Sequence, residues 1–212
     1  MADLDTLRQA IIDGDAKTAG AVAREAIAAD TDALTLIQQY MVPAMDEVGR
    51  RYECEEFFVP ELLLSARAMK AALDPIRPLL VASGAKPAGK VVIGTVKGDL
   101  HDIGKNLVAS LLEGGGFEVI DLGADVSPQK FIDAVQTTGA NIVALSALLT
   151  VTMPSIKMTI EALKSAGVRD KVKVMVGGAP VTQQFADQVG ADAYSENATA
   201  AVTAARRLVA AG

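Results

Sequence analysis

One histidine occurs among the 212 residues, His101, so any chemistry that needs an imidazole has a single place to happen. It stands in the run Gly98-Asp99-Leu100-His101-Asp102-Ile103-Gly104-Lys105-Asn106, two residues after one carboxylate and three before a glycine. An imidazole that ligates a metal usually gives its other ring N–H to a carboxylate, which fixes the tautomer and strengthens the ligating nitrogen. Asp99 is spaced to take that N–H, and Gly104 admits something bulky close to the backbone. With no second histidine and one cysteine, Cys54, the chain offers neither an ordinary zinc shell nor a CxxC motif. A metal that arrives with its own equatorial ligands needs only one axial ligand from the protein. A phosphate loop is the competing reading of Gly104-Lys105, and it fails on spacing. GxxxxGK[ST] requires glycine where Asp99 stands and Ser or Thr where Asn106 stands. Nor does Gly114-Gly115-Gly116 open a helix as a dinucleotide loop would.

The elements that must hold this loop fall into two classes. Up to about residue 82 the periodicity is helical. Leu4, Leu7, Ile11 and Ile12 share one face, Asp13-Gly14-Asp15 is turn chemistry, and a second helix spans roughly 16–29. Asp30 or Thr31 is expected to cap a third helix, Pro43 to end or kink it, and Pro60 to open a last one. This is a four-helix bundle in outline. VASGAKPAG loses the periodicity and reads as a linker over 83–89. From residue 90 to 212 apolar runs alternate with helical stretches: KVVIGTV, FEVIDLG, NIVALSA, KVMVGG and a weaker ADAYS. Five βα units predict a flavodoxin-like, Rossmann-like doubly wound parallel sheet with its ligand site beyond the carboxyl ends of the strands. The unusual residues sit at those ends: GDLHDIG, SALLT and GGAP.

Taken together, these residues carry a family resemblance. DLHDIG, then after residues 105–145 Ser146-Ala147-Leu148, then after residues 149–176 Gly177-Gly178, resembles the DxHxxG…SxL…GG signature of cobalamin-binding domains. VGRRYECEEFFVPELLLSARAM resembles the helical cap that precedes such a domain in methionine synthase and in corrinoid proteins of methyltransferase systems. The resemblance implies cobalamin as the cofactor, as methylcobalamin and cob(I)alamin, with His101 as lower axial ligand to cobalt in place of the cofactor's own base and Asp99 as its hydrogen-bonded partner. It further implies close approach of the corrin at Asp102, Ile103 and Gly104, and a nucleotide-tail cavity lined by Ser146, Leu148 and Thr150 and closed by Gly177 and Gly178. Tyr52 and Val59 match positions that shield the upper face, where the family has Phe and Leu. Thr152 stands where methionine synthase has a serine extending the His–Asp pair.

Composition narrows the function classes. Half the residues are apolar and 4% aromatic, a core of Ala, Val, Leu, Ile and Met that suits helices and buried parallel strands. Twenty basic against twenty-six acidic side chains, net −6, with no Lys/Arg-rich run, disfavour nucleic acid or an anionic membrane as partner. The apolar runs are of strand length, the N-terminus lacks the pattern of a signal peptide, and a lone cysteine suits the cytoplasm. The resemblance implies a methyl-carrying subunit rather than a complete enzyme. Its partners would be a donor-specific methyltransferase (methylamine, methanol, betaine or methoxyarene), an acceptor methyltransferase using a thiol or tetrahydrofolate, and a reductive activator. The rivals are a cobalamin-dependent regulator or photoreceptor, which would need a DNA-binding module the acidic first 80 residues do not resemble, and a B12 mutase subunit, which usually lacks the cap. A cap that shields the upper face must also move for transfer, with Gly84, Pro87 and Gly89 as its hinge.

Overall fold

In the computed structural model, residues 3–83 and 87–210 are described, the side chains of 81–83 excepted. Gly84 of the expected hinge lies outside them. The chain divides into two compact units, one running to Pro87 and including Glu113–Gly116, the other made of the remainder.

The first unit is helical: α1 (Leu4–Ile12), α2 (Ala16–Ala28), a short α3 (Ala33–Thr35), α4 (Val42–Glu53) and α5 (Val59–Ser83). Each early start is set by an aspartate whose side chain accepts a backbone N–H that the first turn leaves free. Asp3 takes that of Asp5, Asp15 that of Thr18, and Asp32 that of Thr35 at 2.8 Å. The third cap is therefore Asp32 and not Asp30 or Thr31. Asp30 adopts a left-handed φ of 57° at the exit of α2, a conformation that a capping residue does not have. Pro43 does not end its helix either. A π-helical turn, Leu36–Met41, precedes it, and helical backbone continues into α4. The widened turn accommodates a residue that has no N–H to give. Between α1 and α2, Gly14 has φ 73°, and a Cβ there would come within 2.5 Å of the Leu64 Cβ of α5. The buried Ser65 hydroxyl donates to the Ile12 carbonyl at 3.0 Å and ties α5 to the end of α1.

The second unit alternates strand and helix: β1 (Lys90–Thr95), α6 (Ile103–Gly114), β2 (Glu118–Asp121), α7 (Pro128–Thr138), β3 (Ile142–Ser146), α8 (Met153–Ser165), β4 (Lys173–Gly177), α9 (Gln183–Val189), β5 (Ala193–Ser195) and α10 (Ala198–Ala210). All pairings are parallel, in the order β2-β1-β3-β4-β5. Side chains one apart on a strand point to opposite faces, and the core divides accordingly. Val91, Ile93, Ile142, Ala144 and Met175 pack with Leu112 of α6 and Ala201, Ala205 and Leu208 of α10. Val92, Val143, Leu145, Val174 and Val176 pack with Phe131 of α7, Ile156 and Ile160 of α8 and Val189 of α9. Gly94 makes room on that second face, since a Cβ there would meet the Phe131 ring at 2.8 Å. The strand order reverses between β1 and β3, so their following segments leave toward opposite faces and open a crevice at the carboxyl ends. His101 follows β1, and Leu148 to Thr152 follow β3.

Candidate functional site: the crevice between β1 and β3

Asp99 is fully buried, yet every lone pair it points inward meets a donor. Its Oδ1 accepts the His101 backbone N–H at 3.0 Å and lies 2.8 Å from the ring nitrogen Nδ1. Its Oδ2 accepts the Leu148 backbone N–H at 2.8 Å and faces the Thr152 hydroxyl at 2.6 Å. The same hydroxyl lies 2.8 Å from the Leu149 carbonyl. One proton cannot serve both, and that carbonyl already receives the N–H groups of Thr152 and Met153. The hydroxyl therefore donates to the carboxylate, the stronger and otherwise costlier acceptor. Burial raises the Asp99 pKa, but the Thr152 hydroxyl, the Leu148 and His101 backbone N–H groups and the His101 ring outweigh it and hold the carboxyl well below the usual carboxylate range.

An ionised acceptor opposite Nδ1 selects the tautomer in which Nδ1 carries the proton, which leaves the Nε2 lone pair free. The imidazole is half exposed, so that lone pair is presented rather than buried. A second buried hydroxyl sets the loop from below, as Thr95 donates to the His101 carbonyl at 2.9 Å. Asp102 precedes α6 and its carbonyl accepts the Asn106 N–H at 2.7 Å, the first bond of that helix.

Around the imidazole the surface is apolar and open. Leu100 is 76% exposed, Ile103 81% and Val151 79%, with Leu148 and Leu149 partly so. A Cβ added at Gly104 would meet nothing within 4 Å. Exposed apolar side chains from the two loops with a single available imidazole nitrogen fit a large group that brings its own equatorial ligands. Among the described residues no group of three or more His, Cys, Asp or Glu is placed to hold a bare metal ion.

The structure also brings the other sequence-selected residues of this unit to the strand ends. Ser146 closes β3, half-buried, and its carbonyl accepts the Val96 N–H at 3.0 Å. Leu148 reaches the His101 loop through its backbone, and Thr150 is exposed on the same segment. Gly177 and Gly178 have a packing reason of their own. A Cβ at Gly177 would lie 3.1 Å from the Ser195 carbonyl, and one at Gly178, where φ is 126°, would overlap the Ala147 carbonyl. The pair lets the exits of β3, β4 and β5 run side by side. Tyr52 and Val59 belong to the helical unit, in the last turn of α4 and at the first residue of α5. Sequence reasoning passed over Thr95, Leu100, Leu149 and Val151. The available signal was a hydroxyl closing an apolar strand and three large apolar side chains in loops.

Thr152→Val keeps the shape and removes the donor to a buried charge. It is expected to cost about 1.5–3 kcal/mol in denaturant unfolding, with Thr152→Ser close to the native protein.

Similarity to known proteins places the chain in a family. The B12 binding domain family matches residues 89–203, more than half of the chain, and a second B12 binding domain family matches residues 3–76. A corrinoid protein of Desulfitobacterium hafniense is 41% identical over 212 residues, covering 99% of this chain and 98% of its own. A trimethylamine corrinoid protein of Methanosarcina acetivorans is 45% identical over 204 residues, 95% and 94% of the two chains. Among solved structures, a chain of the methanol:cobalamin methyltransferase complex of Methanosarcina barkeri superposes with a TM-score of 0.86 at 32% identity, covering 99% of this chain and 80% of that one. The crevice, its lone imidazole and these relatives agree, and the chain belongs to the family of cobalamin-binding corrinoid proteins.

Proposed function

We propose that this protein carries a methyl group between a donor-specific methyltransferase and an acceptor methyltransferase, holding cobalamin with His101 Nε2 as the lower axial ligand. The observation that carries the reading is the buried, ionised Asp99 on Nδ1 of the only histidine, with exposed apolar side chains from the two loops. When bound, cobalamin supplies the cobalt that accepts and gives up the methyl group; the residues supply the rest. Asp99 Oδ1 holds the proton on Nδ1. As that proton leans toward the carboxylate, Nε2 becomes the better donor, and Thr152, by donating to Oδ2, limits how far it leans. Leu100, Ile103 and Val151, exposed here, would exclude water around the ligating nitrogen once the cofactor covers them. Gly104 leaves the approach clear, with Asp102 and Ile103 beside it. Ser146, Leu148 and Thr150, with Gly177 and Gly178, are proposed to line the nucleotide tail, and Tyr52 and Val59 to shield the reactive face, on the strength of the resemblance.

The partners are proposed from the relatives. One is named for trimethylamine, and the methanol:cobalamin methyltransferase complex contains another, so relatives with this architecture accompany different donors. Donor choice is then proposed to rest with the partner enzyme, while the carrier supplies the crevice chemistry. A thiol or tetrahydrofolate methyltransferase would receive the group, a reductive activator would restore oxidised cobalt, and the cytoplasm would be the compartment. Among the described residues no helix is long and apolar enough to cross a membrane.

The test is transfer of an isotope-labelled methyl group. The cobalamin-loaded, reduced protein is incubated with methylamine and methanol methyltransferases and their labelled donors, then passed through gel filtration. Label that travels with the protein and is released to a thiol on adding an acceptor methyltransferase is the expected result. A protein that binds cobalamin but takes label from none of the donor enzymes, and that retains an adenosyl upper ligand, would instead be a regulator or mutase subunit.

A further inference from the structure

The His101 loop is fastened not only by Asp99 but by the segment that follows β2. Asp125 accepts the Gly98 N–H on Oδ1 at 2.8 Å and the Lys97 ammonium on Oδ2 at 2.9 Å, while its own N–H donates to the Asp99 carbonyl at 2.9 Å. It thus grips the two residues before Leu100 from both its side chain and its backbone. Doing so requires a left-handed φ of 54°, a conformation that Asp and Asn tolerate better than other side chains. In the first turn of α6, Lys105 is buried and its ammonium lies 2.5 Å from Asp121 Oδ2, at the end of β2. Gly123 closes the tie, donating its N–H to Asp121 Oδ1 and accepting the Thr95 N–H on its carbonyl.

We infer that Asp125 is a positioning residue for the axial ligand: by clamping the Gly98-Asp99 backbone it aims the Asp99 carboxylate at Nδ1 and so sets the direction of His101 Nε2. The Asp99 side chain's own contacts fix its carboxylate end, and Asp125 fixes the backbone from which that side chain starts. Oδ1 and Oδ2 are held by donors from His101, Leu148 and Thr152, whereas the backbone that carries the Asp99 Cα is held on its carbonyl side by Asp125 and on its N–H side by the Val96 carbonyl at 3.1 Å. The Gly98 N–H and the Lys97 ammonium keep the Asp125 carboxyl below its ordinary pKa, so the acceptor stays charged through the neutral range. The inference rests on His101 being the axial ligand.

Two variants separate the side chain from the backbone. Asp125→Gly keeps the left-handed conformation and removes the acceptor; Asp125→Asn keeps an acceptor oxygen. In the cobalamin-loaded protein, cobalt(II) electron paramagnetic resonance reads the fraction whose cobalt is coupled to a protein nitrogen. Asp125→Gly is expected to lower that fraction below half and to weaken cobalamin binding about 10-fold, as losses of groups behind a metal ligand do. Asp125→Asn is expected to restore both to within about twofold of the native protein. In the cobalamin-free protein, nitrogen NMR of the single imidazole is expected to show the Nδ1-protonated tautomer in the native chain and in Asp125→Asn, and a mixture of tautomers in Asp125→Gly. A thermal midpoint in Asp125→Gly close to that of Asp125→Asn separates misaiming from unfolding. Full nitrogen coupling and unchanged affinity in Asp125→Gly, beside loss of coupling in His101→Ala, overturn the role of Asp125 alone. Coupling that survives His101→Ala overturns the axial-ligand reading and this inference with it.

Discussion

Replacing His101 by alanine is expected to abolish nitrogen coupling in the cobalt(II) spectrum and to weaken retention of cobalamin by about 100-fold, some 2.7 kcal/mol at 1.36 kcal/mol per tenfold. The size of the effect follows from the inventory. There is no second histidine to substitute, and the side chains nearest in sequence, Leu100, Asp102 and Ile103, offer no neutral nitrogen. Folding should be nearly untouched, because the imidazole is half exposed and removing it leaves Asp99 with its Leu148, Thr152 and backbone His101 donors. Free imidazole added to the variant should occupy the vacated position and restore the coupling in proportion to its concentration. A spectrum unchanged by the substitution would mean that cobalt takes its lower ligand elsewhere.

Much of this crevice is legible in the sequence because residue type announces it. A lone histidine two residues after an aspartate, with a glycine three beyond, suggests a ligand, its partner and its clearance once Ser146-Ala147-Leu148 and Gly177-Gly178 follow at the spacing of the resembled family, and the alternation of short apolar runs with helical stretches states a doubly wound sheet. What the sequence does not show is carried by backbone groups and by topology. The Leu148 N–H that caps Asp99 comes from 49 positions away and bears no mark of type, since any residue but proline could supply it. Asp125 looks like one more turn aspartate until the exits of β1 and β2 are seen side by side. Local competition hides other features: Asp30, Thr31 and Asp32 are all competent caps, and the left-handed exit of α2 at Asp30 decides for Asp32. Gly178 is noticeable as half of a glycine pair, but the contact that forbids a side chain is with the carbonyl of Ala147, in the segment leaving another strand.

Asp99→Ala should be a strongly damaging change for folding in this unit. The substitution leaves the Leu148 N–H and the Thr152 hydroxyl facing a small apolar void and takes the partner from Nδ1 of His101. Losing the buried partner of several donors costs about 3–5 kcal/mol. The dependence on pH distinguishes this charge-based loss from simple loss of packing. Because the folded-state pKa lies below the ordinary value of about 3.9, folding favours the ionised form, and the stabilisation is fully present above that value. It fades as pH falls below about 4 toward the folded-state pKa, where the native protein must protonate a carboxyl that three hydrogen-bond donors and a ring N–H oppose. The difference in unfolding free energy between native protein and Asp99→Ala is therefore expected to shrink as pH falls below about 4. Asp99→Asn should fall between them. Its amide oxygen can replace one carboxylate oxygen, but its NH2 must then face either the Leu148 N–H or the His101 N–H, and neither can accept. Denaturant unfolding of the three proteins across this pH range measures the difference. A gap that stays the same at pH 3 and pH 7 would show that Asp99 stabilises the fold by its shape, and that its charge is not what holds the Nδ1 proton of His101 in place.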